Sequence, residues 1–105
     1  MLRRSILLLA TLLTSSVHAA SPASLPTIEV YMPTVCLACI DWGSYLADRG
    51  FRVAYKEAAD MAAVKRRLKV PAAVESVHTA VVGGYFVEGH AYAEDIQELL
   101  RDKPR

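Results

Sequence analysis

Two cysteines, Cys36 and Cys39, stand in the run Cys36-Leu37-Ala38-Cys39 and are the only two in the chain. A bridge between residues so close closes a very small loop, with a chain-entropy contribution of roughly 2 kcal/mol against about 3 for a 15-residue loop. Such a pair does not make a disulfide-stapled scaffold, so the chain must fold on a hydrophobic core of its own. The pair therefore reads as thiol chemistry or a soft-metal clip, with a purely structural disulfide as the bland alternative.

The start of the chain supplies an address. Arg3 and Arg4 form a positive segment, Ile6 to Leu13 an apolar one, and Val17-His18-Ala19 places small residues where a signal peptidase cuts. The apolar run is too short to span a bilayer, which takes about 20 residues. Residues 1–19 are thus expected to be a cleaved signal peptide, residues 20–26 a flexible lead containing Ser21, Pro22, Ser24 and Pro26, and residues 27–105 one domain. Cleavage removes two of the twelve basic residues and none of the eleven acidic ones, leaving the domain slightly acidic. That balance speaks against a nucleic-acid partner, and no membrane span remains after cleavage.

The domain alternates its elements. Thr27 to Met32 is β-branched and alternating, a first strand. A turn at Pro33-Thr34-Val35 leads to a helix beginning at Cys36, with Ile40, Trp42, Tyr45 and Leu46 on its apolar face and Gly50 as its stop. Phe51, Val53 and Tyr55 mark a second strand with one buried face. Asp60 is placed to cap a helix that buries Met61, Val64 and Leu68 and points Lys65, Arg66, Arg67 and Lys69 outward as a solvated face, ending before Pro71. Thr79 to Val82, Gly83-Gly84 and Tyr85 to Glu88 spell a two-residue hairpin. A last helix runs from Ala93 to Arg101 on Ile96, Leu99 and Leu100.

The resulting order, β-α-β-α-β-β-α with a mixed sheet covered by helices, is that of a thioredoxin-like α/β domain. The small ferredoxin-like metal-chaperone fold also carries a C-x-x-C near its first strand, but its order, β-α-β-β-α-β, differs.

Both cysteines fall at a helix N-terminus, where the macrodipole and free backbone N–H groups favour a thiolate. Cys36 is then the nucleophile and Cys39, one turn in, the resolving thiol. Two thiolates on one face also suit a soft ion such as Cu(I). Spacing alone leaves both roles open. His78 and His90, at the start of the third strand and beyond the end of the fourth, are candidate ligands or acid/base groups, though a lone histidine is more often structural. Met32 and Met61 read as core, and Trp42 as the anchor of the cysteine helix.

The segments Val30-Tyr31, Cys36, Cys39, Trp42, Gly50-Phe51, Val70-Pro71, Ser76, His78-Thr79-Ala80-Val81, Gly84-Tyr85, Val87-Glu88-Gly89-His90 and Asp95-Ile96 together resemble the CopG-type periplasmic metal-binding family, a domain-of-unknown-function family associated with copper resistance. The likeness runs over nearly the whole of residues 27–105. The family pattern is C-x-C-C before the tryptophan and a further cysteine in Ser-Cys-His-Thr-Ala. Here Ala38 and Val77 stand in place of two of those four cysteines. Met32-Pro33 and Ala91-Tyr92 depart from the pattern as well.

The resemblance implies a periplasmic copper-associated protein in which Cys36, Cys39 and His78 hold Cu(I), with other periplasmic copper-handling proteins as partners. Two thiolates and an imidazole suffice for one ion and fall short of a four-thiolate or multinuclear site. The remaining C-x-x-C keeps a second reading alive, a periplasmic dithiol-disulfide oxidoreductase with Cys36 and Cys39 catalytic. Against it, oxidoreductases of this fold place a cis-proline just before the third strand, where this chain has Val77-His78-Thr79.

Overall fold

A computed structural model describes residues 10–14 and 25–105. The signal peptide expected at 1–19 and the lead at 20–26 lie, apart from residues 10–14, 25 and 26, outside the described residues. The elements are β1 (Ile28–Met32), α1 (Leu37–Asp48), β2 (Val53–Glu57), α2 (Met61–Arg67), β3 (Thr79–Val82), β4 (Tyr85–Glu88) and α3 (Ala93–Asp102). A short 3-10 turn, Ala72–Val74, bridges α2 and β3. The sheet order is β2-β1-β3-β4, with β1 parallel to β2 and antiparallel to β3, and β3 antiparallel to β4. This is the mixed sheet of a thioredoxin-like α/β domain.

The local signals act where the sequence puts them. The Asp60 carboxylate accepts the Ala63 N–H at 3.0 Å and caps α2. At the end of α1, Gly50 takes φ 91°, its N–H reaches the Ala47 carbonyl at 3.1 Å, and the Phe51 N–H reaches the Leu46 carbonyl at 3.2 Å. That crossed pair is a Schellman motif, sealed by burial of Leu46 and Phe51 in one core. Val82 pairs with Tyr85 across Gly83 and Gly84, whose φ values of 56° and 82° are those a type I′ turn needs.

Residues opposite each other in a sheet share a face. Val30, Ala80 and Val87 line one face, where they pack with Ile28, Val82, Trp42 and Leu46 of α1, and Ala93 and Ile96 of α3. Tyr31, Thr79 and Glu88 line the other, under α2. So α1 and α3 cover one side of the sheet and α2 the other.

Three local expectations change. Lys65, read as part of a solvated basic face, is buried, because the turn of α2 that carries it meets the polar face of the hairpin. Ile40 is 40% exposed and outside the apolar face of α1. The second strand starts at Val53, leaving Phe51 to the helix stop, and Tyr55 lies on the surface donating to the Ile40 carbonyl at 3.2 Å.

The hairpin generates a stability ordering. An L-residue at either turn glycine costs roughly 1–2 kcal/mol for its left-handed φ. A Cβ at Gly83 would in addition lie 2.7 Å from Leu100 Cδ2, whereas Gly84 has open space. Gly83→Ala is expected to lower Tm more than Gly84→Ala, each kcal/mol amounting to roughly 4–8 °C in a domain of this size. Equal melting temperatures would contradict the packing of α3 against the turn.

Candidate functional site

The site begins with the turn between β1 and α1. Val35, 82% exposed, adopts φ 60°, a strained setting for a β-branched residue, and this sharp turn brings Cys36 to the N-cap of α1. Cys36 Sγ accepts the Cys39 N–H at 3.2 Å. Cys36 and Cys39 form a disulfide, with Cα atoms 5.3 Å apart. Both are buried, Cys39 completely, and they pack with Met32 at the end of β1. Val35 and Leu37, their neighbours in the chain, and Val77, in the segment before β3, are exposed apolar side chains.

His78 arrives from the opposite strand. Tyr31 pairs with Thr79, so one further step of the same antiparallel register sets Met32 against His78. The imidazole therefore shares the sheet face of the cysteine cluster. It is fully buried and stacks on the Trp42 ring with centroids 4.7 Å apart. His90, exposed at the end of β4, stacks on it at 5.1 Å. Trp42 is held in place by its indole N–H, which donates to the Ala91 carbonyl at 2.9 Å. Beside it opens a cleft of about 280 Å³ walled by Asp41, Trp42, Tyr45, His90, Ala91 and Tyr92.

Neither ring nitrogen of His78 has a hydrogen-bond partner among the described residues. A buried polar group in that condition costs about 1–3 kcal/mol unless a water, a ligand or an ion partners it. Burial, with help from His90 and Lys65 and against the pull of Glu88, lowers the His78 pKa to about 4. The ring is thus a neutral imidazole at neutral pH, the form that ligates metals.

Behind the sheet lies a group the sequence reading missed. Glu88 accepts from Lys65 Nζ at 2.8 Å, from the Ser76 N–H at 2.6 Å, from the Ser76 hydroxyl at 2.9 Å and from the Thr79 hydroxyl. Lys65 Nζ also donates to Thr79 Oγ1 at 2.8 Å. Burial pushes the Glu88 carboxyl up, but the hydrogen bonds from Lys65, Thr79 and Ser76 outweigh it and hold the group below its usual range. The signal was available: a Gly-Gly hairpin pairs Thr79 with Glu88, two polar residues on one face, and such a face calls for a polar partner above it.

The structure thus packs Cys36 and Cys39 against Met32 at the end of β1 and stacks His78 on Trp42, with His90 at the margin and Met61 on α2. Among the described residues no three or more His, Cys, Asp or Glu side chains already stand as a metal-binding group. With the cysteines bridged, no thiolate is available. Reduction would free two sulfurs at the helix N-terminus, ligands of the kind a soft monovalent ion prefers. No helix among the described residues is long and apolar enough to cross a membrane.

A family model described as "Protein of unknown function, DUF411" matches residues 74–105, the stretch that carries Ser76, His78, Glu88 and His90. Two solved structures, described as copper resistance protein CopG in form 1 and form 2, are 44% and 45% identical to this chain. They align over 73% and 72% of it with a TM-score of 0.70 each. The chain spans 62% and 61% of their lengths. No curated protein matches it.

The protonation of His78 has a consequence for stability. Its pKa falls from the ordinary 6.5 to about 4 on folding. Between those values the unfolded chain holds a proton that the folded chain does not, so stability present above pH 6.5 is lost as the pH falls toward 4, by on the order of 3 kcal/mol. The lowered Glu88 pKa acts in the same sense, its contribution lost as pH falls through that pKa. Urea unfolding followed by the emission of Trp42, the only tryptophan, should show the decline between pH 6.5 and 4, and His78→Leu should flatten it. An unchanged slope in that variant would place the imidazole in water.

Proposed function

The chain belongs to the CopG-type family, and on that premise we propose that it is an exported copper-handling protein of the periplasm that holds one Cu(I) ion between Cys36, Cys39 and His78. The observation that carries this reading is the fully buried His78, both ring nitrogens without a partner among the described residues, on the sheet face where Met32 packs against the two cysteines. The copper resistance proteins it is similar to supply the identity of the ion. Arg3-Arg4, the apolar run after them and Val17-His18-Ala19 support export by a cleaved signal peptide. Other copper-handling proteins of the same compartment are the partners this reading calls for.

The residues present suit a single soft ion. Thiolates are the ligands Cu(I) prefers, and the helix N-terminus lowers the cost of holding two negative sulfurs together. Ala38 and Val77 stand at positions where the family pattern has cysteine, and neither side chain is a donor. One ion per chain follows from the donor count.

A second reading is favoured by one observation, the Cys36–Cys39 disulfide itself. In it, the reduced pair passes two electrons to a substrate disulfide: the Cys36 thiolate attacks one substrate sulfur and expels the other as a thiol, leaving a mixed disulfide; Cys39 then attacks Cys36 Sγ, the second substrate thiol leaves, and the pair ends bridged. Exposed Val35, Leu37 and Val77 are the surroundings such a substrate would meet.

An anaerobic Cu(I) titration of the reduced protein, in competition with a coloured chelator, separates the two. Binding near one ion per chain, lost in Cys36→Ser and Cys39→Ser and weakened at least tenfold in His78→Ala, is the expected result. Failure of the reduced protein to compete, together with thiol exchange that depends on Cys36, would establish the oxidoreductase in its place.

A further inference from the structure

His78 has no hydrogen bond to orient its ring among the described residues; the buried ring stacks on Trp42 and His90, and its placement follows from its backbone. That backbone is fixed from the far side of the sheet. Glu88 takes the N–H and the hydroxyl of Ser76, two residues before His78, and the hydroxyl of Thr79, one residue after it. The Ser76 hydroxyl also lies 2.7 Å from the His78 carbonyl and divides its single proton between that oxygen and the carboxylate. Lys65, from α2, neutralises the carboxylate and donates to Thr79 as well. Because successive residues of a strand point to opposite faces, drawing Thr79 down toward Glu88 turns His78 up toward Trp42.

We propose that Glu88, Ser76 and Lys65 are positioning residues for the copper site: from behind the sheet the buried carboxylate grips the chain on both sides of His78 and so sets the imidazole against Trp42 and the cysteine end of the sheet. The inference rests on His78 being the copper ligand.

A buried ion pair by itself argues for little, since apolar side chains of similar volume hold a helix on a sheet as well or better. What they cannot do is accept the Ser76 N–H. That contact, and not the attachment of α2, is what the carboxylate adds. Losing the groups that orient a metal ligand typically weakens binding 10–100-fold.

Two readouts test the clamp: Cu(I) competition on the reduced protein, and the emission of Trp42 in the metal-free protein, which senses the stacked imidazole. Glu88→Met, which is of similar size and cannot accept the Ser76 N–H, is expected to weaken Cu(I) binding 10–100-fold and to shift the emission. Ser76→Ala, which leaves the Lys65–Glu88 pair intact, is expected to do both to a smaller extent. The double variant Lys65→Met with Glu88→Leu is expected to keep or raise Tm while copper affinity stays low. Recovery of affinity together with Tm in that variant would reduce the pair to a structural prop and overturn the proposal. So would unchanged affinity in Glu88→Met and Ser76→Ala while His78→Ala loses it. If His78→Ala leaves copper binding untouched, the ligand assignment of the proposed function fails. The clamp then stands on a Trp42 emission shift in Glu88→Met and Ser76→Ala and falls without one.

Discussion

The pairing of β1 with β3 is the interaction on which the site depends. β1 is an inner strand, parallel to β2 on one side and antiparallel to β3 on the other. Its last residue, Met32, packs against the cysteines that follow it in the chain, and the Tyr31–Thr79 pair lines up the segment bearing His78 with that same end. Residues more than 40 positions apart thus meet through one register. A slip by one residue would turn His78 to the α2 face and Thr79 into the apolar core, exchanging every contact on both sides of the strand.

The two faces of that strand pair do different work. On the α1 side, Val30, Ala80, Val87, Trp42 and Leu46 supply the burial a domain of this size needs, and His78 is the polar exception within it. On the α2 side, Thr79, Glu88, Lys65 and Ser76 form a satisfied polar group under a short helix. The contrast is informative. A buried carboxylate with four donors is a stable arrangement; a buried imidazole whose nitrogens find no partner among the described residues is not, and the same chain holds Val35 in a left-handed conformation at the head of α1. Unfavourable local states of both kinds collect at functional sites, because elsewhere nothing would retain them.

Much of this was legible in the residues. The helix stop at Gly50, the Asp60 cap, the Gly83-Gly84 turn and the element order all rest on local rules that tertiary packing did not override. The cysteine pair at the head of α1 and the two histidines near the sheet ends were legible for the same reason, as was Trp42, which anchors α1 by its bond to Ala91. Lys65 was not, because a lysine in the run Lys65-Arg66-Arg67 looks like its solvated neighbours until the partner strand face is known. Nor was the mutual stacking of Trp42, His78 and His90, which depends on how α1 crosses the sheet, a property no single segment encodes.

Under the proposed function, the disulfide and the metal site are two states of the same two sulfurs, and this ties copper to redox chemistry without a second site. A Cu(I) ion that binds the dithiol and not the bridge stabilises the reduced form by mass action, about 2.7 kcal/mol when the free ion stands at a hundred times its dissociation constant. For a two-electron couple that is a rise in reduction potential of about 60 mV. A chain with four thiols could keep one pair for the ion while another is oxidised. With Ala38 and Val77 in those positions, this chain has one pair for both tasks, so oxidation of Cys36 and Cys39 releases the ion and binding of the ion resists oxidation. On that proposal copper handling and thiol exchange, which in sequence stand as rival readings, become competing reactions of one pair of atoms, and a neutral His78 imidazole would favour the first, since it adds a ligand to the reduced state and nothing to the bridged one.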